Sequence, residues 1–485
     1  MFGVPSAERF GGRQSGTVAR AKPCRNSRCD GGVPLRTAPI DGDGADCKGL
    51  LGRGDPENRR LGGGAAVIRT TRRTFLTGGA AALLPKPSLA QSKPRIIVVG
   101  GGFAGATCAR ALRRADPRLA VTLVEPNPIF TACPFSNSVI AGLRDIAAQH
   151  FHYDAIRGEG VVVLAEQATK VDPQARRVTL RGGSGLDYDR LVMAPGIAIR
   201  WDALSGYDEA AAAVMPHAWM AGDQTLLLHR QLEAMPDGGT VVISVPANPF
   251  RCPPGPYERA SLIAYYLSKA KPHSKLIVLD AKDNFSKQRL FQDAWRQLYP
   301  ELIEWVSLSS GGKVVSVDAK TRTLTTDFSS YKADVANVIP PQRAAGIAQI
   351  AGVADSTGWC PIDPATFESR LQPNIHVIGD AAIAGAVPKS AFAANAEAKV
   401  CAVAVRALLR GEAPPPMKLI NTCYSLVAPD YGISIAGVYH PSGGQLADVE
   451  GAGGVSPIDA PNGFRALEAA YAQAWFQTIT AETFG

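Results

Sequence analysis

An excess of charge of one sign, a membrane-length apolar run and a haem-attachment motif are all missing from the working part of this 485-residue chain. The formal charge is +8, but residues 1–90 hold 15 Lys+Arg against 7 Asp+Glu, and the remainder holds 36 of each. The basicity belongs to the N-terminal stretch, so an electrostatic nucleic-acid binder is excluded. The apolar run Leu76 to Leu84 is about ten residues, too short for a bilayer core of about 30 Å, and no integral membrane association is expected. No cysteine sits in Cys-x-x-Cys-His, so the chain attaches no c-type haem of its own. What is present is 46% hydrophobic residues, 49 Gly and 36 Pro. That suffices for a sizeable core in roughly three domains.

Thr71-Arg72-Arg73-Thr74-Phe75-Leu76, followed by the short apolar run, reads as a twin-arginine export signal over residues 71–90. Ser88-Leu89-Ala90 offers the small residues a signal peptidase inspects, so cleavage after Ala90 and a periplasmic location are expected. Twin-arginine export carries folded proteins, often around a cofactor. Residues 1–70 have no apolar period and are expected to be a disordered extension or a start placed upstream of the true one. Cys24, Cys29 and Cys47 fall there and match no zinc spacing; no metal site is expected. Six cysteines remain beyond the leader, in a compartment where a disulfide persists.

Ile96-Ile97-Val98-Val99 reads as a buried parallel strand, followed by Gly100-Gly101-Gly102-Phe103-Ala104-Gly105, a helix pattern, and the strand Val121–Val124 ending at Glu125. Strand, glycine turn, helix, strand and acid within about thirty residues is the dinucleotide fingerprint. Gly100, Gly102 and Gly105 permit the tight turn, backbone approach to a pyrophosphate and close helix packing. Glu125 would accept from ribose hydroxyls. Tyr188–Gly196 and Asn374–Ala381 are two later strands of the kind with which flavin disulfide reductases return to their FAD domain; Gly379 and Asp380 would meet the cofactor there. FAD is therefore expected.

The strand Gly239–Val245 begins a second such unit, but its turn, Pro246 to Glu258, holds five prolines and no G-x-G-x-x-G. That leaves neither space nor free N–H groups for a second pyrophosphate, so no NAD(P)H is expected. The same turn presents Cys252 as an exposed, proline-held redox candidate, whereas Cys108 and Cys401 lie on apolar helical patterns as buried hydrophobes.

With Arg251–Ser261, Gly358-Trp359-Cys360-Pro361, Asn421-Thr422-Cys423-Tyr424-Ser425 and the terminal Thr483-Phe484-Gly485 added, nearly all of residues 92–485 resembles the flavoprotein subunit of flavocytochrome c sulfide dehydrogenase. The resemblance implies a thioether from Cys133 to the flavin and a redox-active disulfide between Cys252 and Cys423, with Cys360 left open as a competing partner. It also implies a proton-handling role for Glu258, against a mere helix-dipole role, with sulfide as substrate and haem c on a separate cytochrome subunit. Sulfide would open the disulfide as a persulfide, and electrons would leave through flavin to the cytochrome. A sulfide:quinone oxidoreductase, or an accessory flavoprotein that reactivates a sulfur-oxidising system, are the competing functions.

The expected fold is α/β: two Rossmann-like domains, the second degenerate, and a C-terminal α+β domain. The expected boundaries are 92–205 with 331–410 for the FAD domain, 206–330 for the second domain, and 411–485 for a flavin-covering domain. In the last, Leu467, Ala470, Tyr471, Ala474, Trp475 and Thr478 form a helical stripe expected to pack in the core or against a subunit, with too few cations for a membrane-surface helix.

Overall fold

The computed structural model describes residues 93–485. The expected export signal, its cleavage site, the segment 1–70 and its three cysteines lie outside the described residues. Five parallel strands form the first sheet, in the order Ile375–Val377, Arg190–Met193, Arg95–Val99, Ala120–Val124, Val162–Leu164. Val99 pairs with Val124 on one side and Met193 on the other. The central strand is buried on both faces, which is why it reads as an unbroken β-branched run.

Gly100 turns the chain out of that strand with φ +100°, and a Cβ on it would lie 2.2 Å from the Ala194 carbonyl oxygen. A Cβ on Gly105 would lie 1.8 Å from the Gly100 carbonyl oxygen. The helix Phe103–Ala115 can therefore sit down on the sheet only through glycine, with its N-terminus over the strand ends.

A second parallel sheet runs Ile303–Val306, Lys275–Asp280, Thr240–Val245, Val335–Val338. The last strand belongs to this sheet and not to the segment 331–410 assigned from sequence to the FAD domain, so the second domain runs on to at least Val338. A short buried strand has no periodicity to say which sheet it joins. The proline turn leads from Thr240–Val245 into the helix Gly255–Ala270.

The C-terminal part is an antiparallel sheet of Leu419–Ala428, Tyr431–Ser442 and Gln445–Asp448, backed by the helix Asn462–Phe484. Of the stripe expected in the core or against a subunit, the core alternative is corrected: Leu467, Ala470, Tyr471, Ala474 and Thr478 are exposed on this chain, and only Trp475 turns partly inward. The buried face is Arg465, Glu468, Ala469, Ala472, Phe476 and Ile479. Periodicity missed the face that packs within this chain, because that face contains an ion pair, Arg465–Glu468 at 3.2 Å, whose Glu468 also accepts from Ser434. The helix end is fastened to the first domain. Arg110 donates to the Glu482 carbonyl at 2.7 Å, and Phe484 stacks on Phe130 with centroids 5.1 Å apart. No helix among the described residues is long and apolar enough to cross a membrane.

Gly105→Ala should overpack the glycine turn and destabilise the protein by about 1–3 kcal/mol, read as a lower urea or thermal midpoint with loss of bound FAD. A midpoint equal to the wild type would contradict the close packing assigned to this residue.

Candidate active site

One cavity of about 540 Å³ is shared by the three parts of the chain. The glycine turn Gly100–Gly102 and Glu125 line one end; Cys133, Cys252, Glu258, Asp380 and Cys423 line the rest. Gly105 is not on its wall but makes the wall possible. The Glu125 carboxylate accepts from the Gly101 N–H at 2.8 Å and from the Asn127 N–H at 2.9 Å, which fixes it at the strand end. Gly379, at φ +73°, begins the short turn Gly379–Ala381 and brings Asp380 to the cavity beside Arg251, whose guanidinium is 3.9 Å away. Burial pushes the Asp380 carboxyl up, and Arg251 and Lys389 partly offset this. These residues fit a flavin dinucleotide: a helix N-terminus with no Cβ at Gly102, an acid at the next strand end, and a long cavity leading from them to the cysteines.

Cys133 lies just before a left-handed turn at Phe135, φ 66°, and its sulfur is 4.0 Å from the Trp219 carbonyl oxygen. Cys252 also adopts a left-handed conformation, φ 57°, and its N–H donates to the Lys389 carbonyl at 2.8 Å. A Cβ on Gly255 would lie 3.0 Å from the Cys252 sulfur, so that glycine makes room for it. The exposure expected of Cys252 is corrected. It is only partly accessible, in the cavity wall, and burial together with Cys423 and Glu258 pushes its thiol well up. The C-terminal sheet brings Cys423 to the same cavity, a docking that sequence does not reveal.

Cys423 comes in on the strand Leu419–Ala428, opposite Ile435. Asn421, two residues earlier on the same face, donates its amide to the Cys423 sulfur at 3.3 Å. Cys252 and Cys423 are both free thiols here, as are the other described cysteines. Cys360 is fully buried on the two-residue strand Cys360–Pro361 and does not line the cavity.

Glu258 is no exposed helix-start acid. Its carboxylate accepts from Asn137 Nδ2 at 2.8 Å and from the Leu426 N–H at 2.8 Å, and burial pushes its carboxyl up. Asn137 is itself held by buried Arg259, which also donates to Asn337 and to the His217 and Ala218 carbonyls. Sequence reasoning missed this frame, and it missed Lys287, whose ammonium donates to the Cys423 carbonyl at 2.8 Å. It also missed Glu397, which accepts from the Gly379 N–H at 2.6 Å. None lies in a motif; only long-range docking brings them in.

Residues 94–223 match the pyridine nucleotide-disulphide oxidoreductase family. The crystal structure of the sulfide:quinone oxidoreductase of Aquifex aeolicus has the same fold, with TM-score 0.62, 18% identity, and coverage of 80% of this chain and 92% of that one. By fold and site the protein is a flavoprotein of that oxidoreductase class. Residues 225–340 match the central part of the sulfide dehydrogenase [flavocytochrome c] flavoprotein chain, and residues 415–484 match the flavin-binding part of flavocytochrome c sulphide dehydrogenase. A 45-residue stretch is 60% identical to the flavoprotein chain of that enzyme from Chlorobaculum thiosulfatiphilum, covering 9% of this chain and 94% of that sequence. The mitochondrial sulfide:quinone oxidoreductase of Mus musculus is 21% identical over 300 residues, 60% of this chain and 66% of that protein. The chain belongs to the family of the flavocytochrome c sulfide dehydrogenase flavoprotein chain.

Burial pushes the Glu397 carboxyl up to about 8, with Lys389 partly offsetting it. The folded chain then keeps a proton that the unfolded chain has lost, so this group's contribution is full at low pH and declines as pH rises toward about 8. Glu397→Gln keeps an acceptor for the Gly379 N–H. Its stability relative to the wild type should grow between about pH 5 and pH 8, by on the order of a few kcal/mol, in parallel urea melts. A pH-independent difference would contradict a buried protonated carboxyl.

Proposed function

We propose that this chain is an exported, FAD-dependent sulfide dehydrogenase. It oxidises sulfide to sulfane sulfur through a Cys252–Cys423 disulfide and passes the electrons to a c-type cytochrome subunit. The observation that carries the proposal is that both thiols, Cys133 and the glycine fingerprint open into one cavity, while Cys360 does not. Hydrosulfide attacks one sulfur of the bridge; the S–S bond breaks, a persulfide forms on the attacked cysteine and the other leaves as thiolate. A second hydrosulfide takes the outer sulfur away as disulfane, leaving two thiolates. Glu258, its carboxyl raised by burial, carries the proton between hydrogen sulfide and the sulfurs. FAD, held by the glycine turn, Glu125, Gly379 and Asp380 and bonded through Cys133, would supply the two-electron acceptor that restores the disulfide and the one-electron donor to a haem.

The second domain supports a reductant other than NAD(P)H. Asp280 ends its second strand, where a dinucleotide ribose would need an acceptor, but it is fully buried. Tyr257 OH donates to it at 2.6 Å, Lys282 Nζ at 2.6 Å and Trp305 Nε1 at 3.0 Å. The cytochrome reading is supported by the exposed stripe Phe464, Leu467 and Tyr471, which leads to Trp475 at the cavity. That stripe is also the observation on the side of a quinone-reducing function, because it gives the helix an apolar outer face that the sequence reading discounted.

The purified protein, given sulfide with either cytochrome c or a short-chain ubiquinone, should reduce the cytochrome. Cys252→Ser and Cys423→Ser should each lower that rate at least about 100-fold. Reduction of the quinone alone would favour the second reading, and turnover only within a reconstituted sulfur-oxidising system would favour an accessory role. Acid denaturation should leave flavin on the wild-type chain and release it from Cys133→Ser. Release from both would remove the thioether from the account.

A further inference from the structure

Lys287 is a buried cation whose hydrogen-bond partners are all neutral oxygens. It is 7% exposed, it caps the helix Gln288–Leu298 of the second domain, and its backbone is left-handed at φ 61°. Its Nζ donates to the Cys423 carbonyl at 2.8 Å, to Ser425 Oγ at 2.8 Å and to the Ile433 carbonyl at 3.5 Å, with the Phe291 ring centroid 5.8 Å away. Burying an ammonium costs free energy, and no carboxylate is hydrogen-bonded to this one, so its donors are satisfied only by neutral oxygens while its charge acts on the groups around it. The groups facing it are Cys423 on the strand above, Cys252 and Glu258 from the turn and helix Gly255–Ala270, and Glu468 from the C-terminal helix. Arg251 stands beyond Cys252, and Tyr439 stands near Cys423.

We infer that Lys287 is the positioning cation that stabilises the thiolate released when the Cys252–Cys423 bridge opens, and that the released sulfur is Cys423. The inference rests on the disulfide reading above and deepens it. In the first step one anion is consumed and one is formed. Hydrosulfide bonds to the Cys252 sulfur, the Cys252–Cys423 bond breaks, and the electron pair and negative charge go to Cys423. The ammonium hydrogen-bonded to that residue's own carbonyl, and the Asn421 amide on its sulfur, both favour the charge there. Burial brings Lys287 down to about 8, so it carries its charge at neutral pH and loses it in mild alkali.

The test is a thiol–disulfide titration of the holoprotein. Anaerobic samples are equilibrated with graded ratios of reduced to oxidised dithiothreitol, quenched in acid, denatured and alkylated, and peptide mass spectrometry reads the free fraction of Cys252 and Cys423. Stabilising the thiolate makes a disulfide easier to reduce, so Lys287→Met should need about ten-fold more reduced dithiothreitol at pH 7, and Lys287→Arg should stay within about three-fold of wild type. The gap between wild type and Lys287→Met should close by about pH 10, where lysine is neutral, while the gap between Lys287→Arg and Lys287→Met persists. Lys287→Gln replaces Lys287→Met if the latter does not fold. Equal midpoints for wild type and the neutral variant, or an equal shift in Lys287→Arg, would overturn the role of Lys287 while leaving the disulfide in place. Free Cys252 and Cys423 in air-oxidised wild type before any dithiothreitol is added would instead overturn the disulfide reading itself.

Discussion

The strand Leu419–Ala428 is pressed against the start of the helix Gly255–Ala270, and the site depends on that contact. Hydrogen bonds from the second domain hold it there, among them the Leu426 N–H to the Glu258 carboxylate and, from the cap of the next helix, Lys287 Nζ to the Cys423 carbonyl, each at 2.8 Å. Both use a buried charged group of the second domain to satisfy the backbone of the third. Without this contact Cys423 would have no reason to be near Cys252, some 170 residues earlier in the chain, and Glu258 would be an ordinary first-turn acid. The contact also closes the cavity, which is why burial dominates the ionisation of Cys252, Glu258 and Lys287 together.

The second domain has a Rossmann-like parallel sheet, with a run of prolines where a dinucleotide site would need a glycine turn. Its residues have been turned to other ends. The turn carries Cys252, the helix after it carries Glu258 and Arg259, and the next helix is capped by Lys287. Asp280, at the strand end, is bound by Tyr257, Lys282 and Trp305 and serves the domain's own packing. In this account a nucleotide-binding architecture is retained as a platform for sulfur chemistry, with the proline turn holding one sulfur rigidly where flexibility would lower the yield of productive encounters.

Much of this was legible in the sequence because it was local. The turn at Gly100–Gly105, the acid at Glu125 and the strands ending at Met193 and Val377 each carry their signal within a few residues, and the structure builds them into one parallel sheet. What was illegible was docking. Val335–Val338 reads as a buried strand in either sheet. The helix Asn462–Phe484 has apolar residues on two faces, and the buried one is marked by the pair Arg465–Glu468, which sequence patterns score as solvent-exposed. Lys287 and Asn421 belong to no motif, and their meaning appears only when a strand more than a hundred residues away lies over the first and a sulfur two residues along lies beside the second.

The central claim, that electrons enter from sulfide through the cysteine pair and not from a nicotinamide, is tested most directly by anaerobic titration of the oxidised protein while following flavin absorbance. Stoichiometric sulfide should bleach the flavin promptly, and NADPH should not. Bleaching by NADPH with indifference to sulfide would contradict that claim and return the protein to the ordinary pyridine-nucleotide reductases.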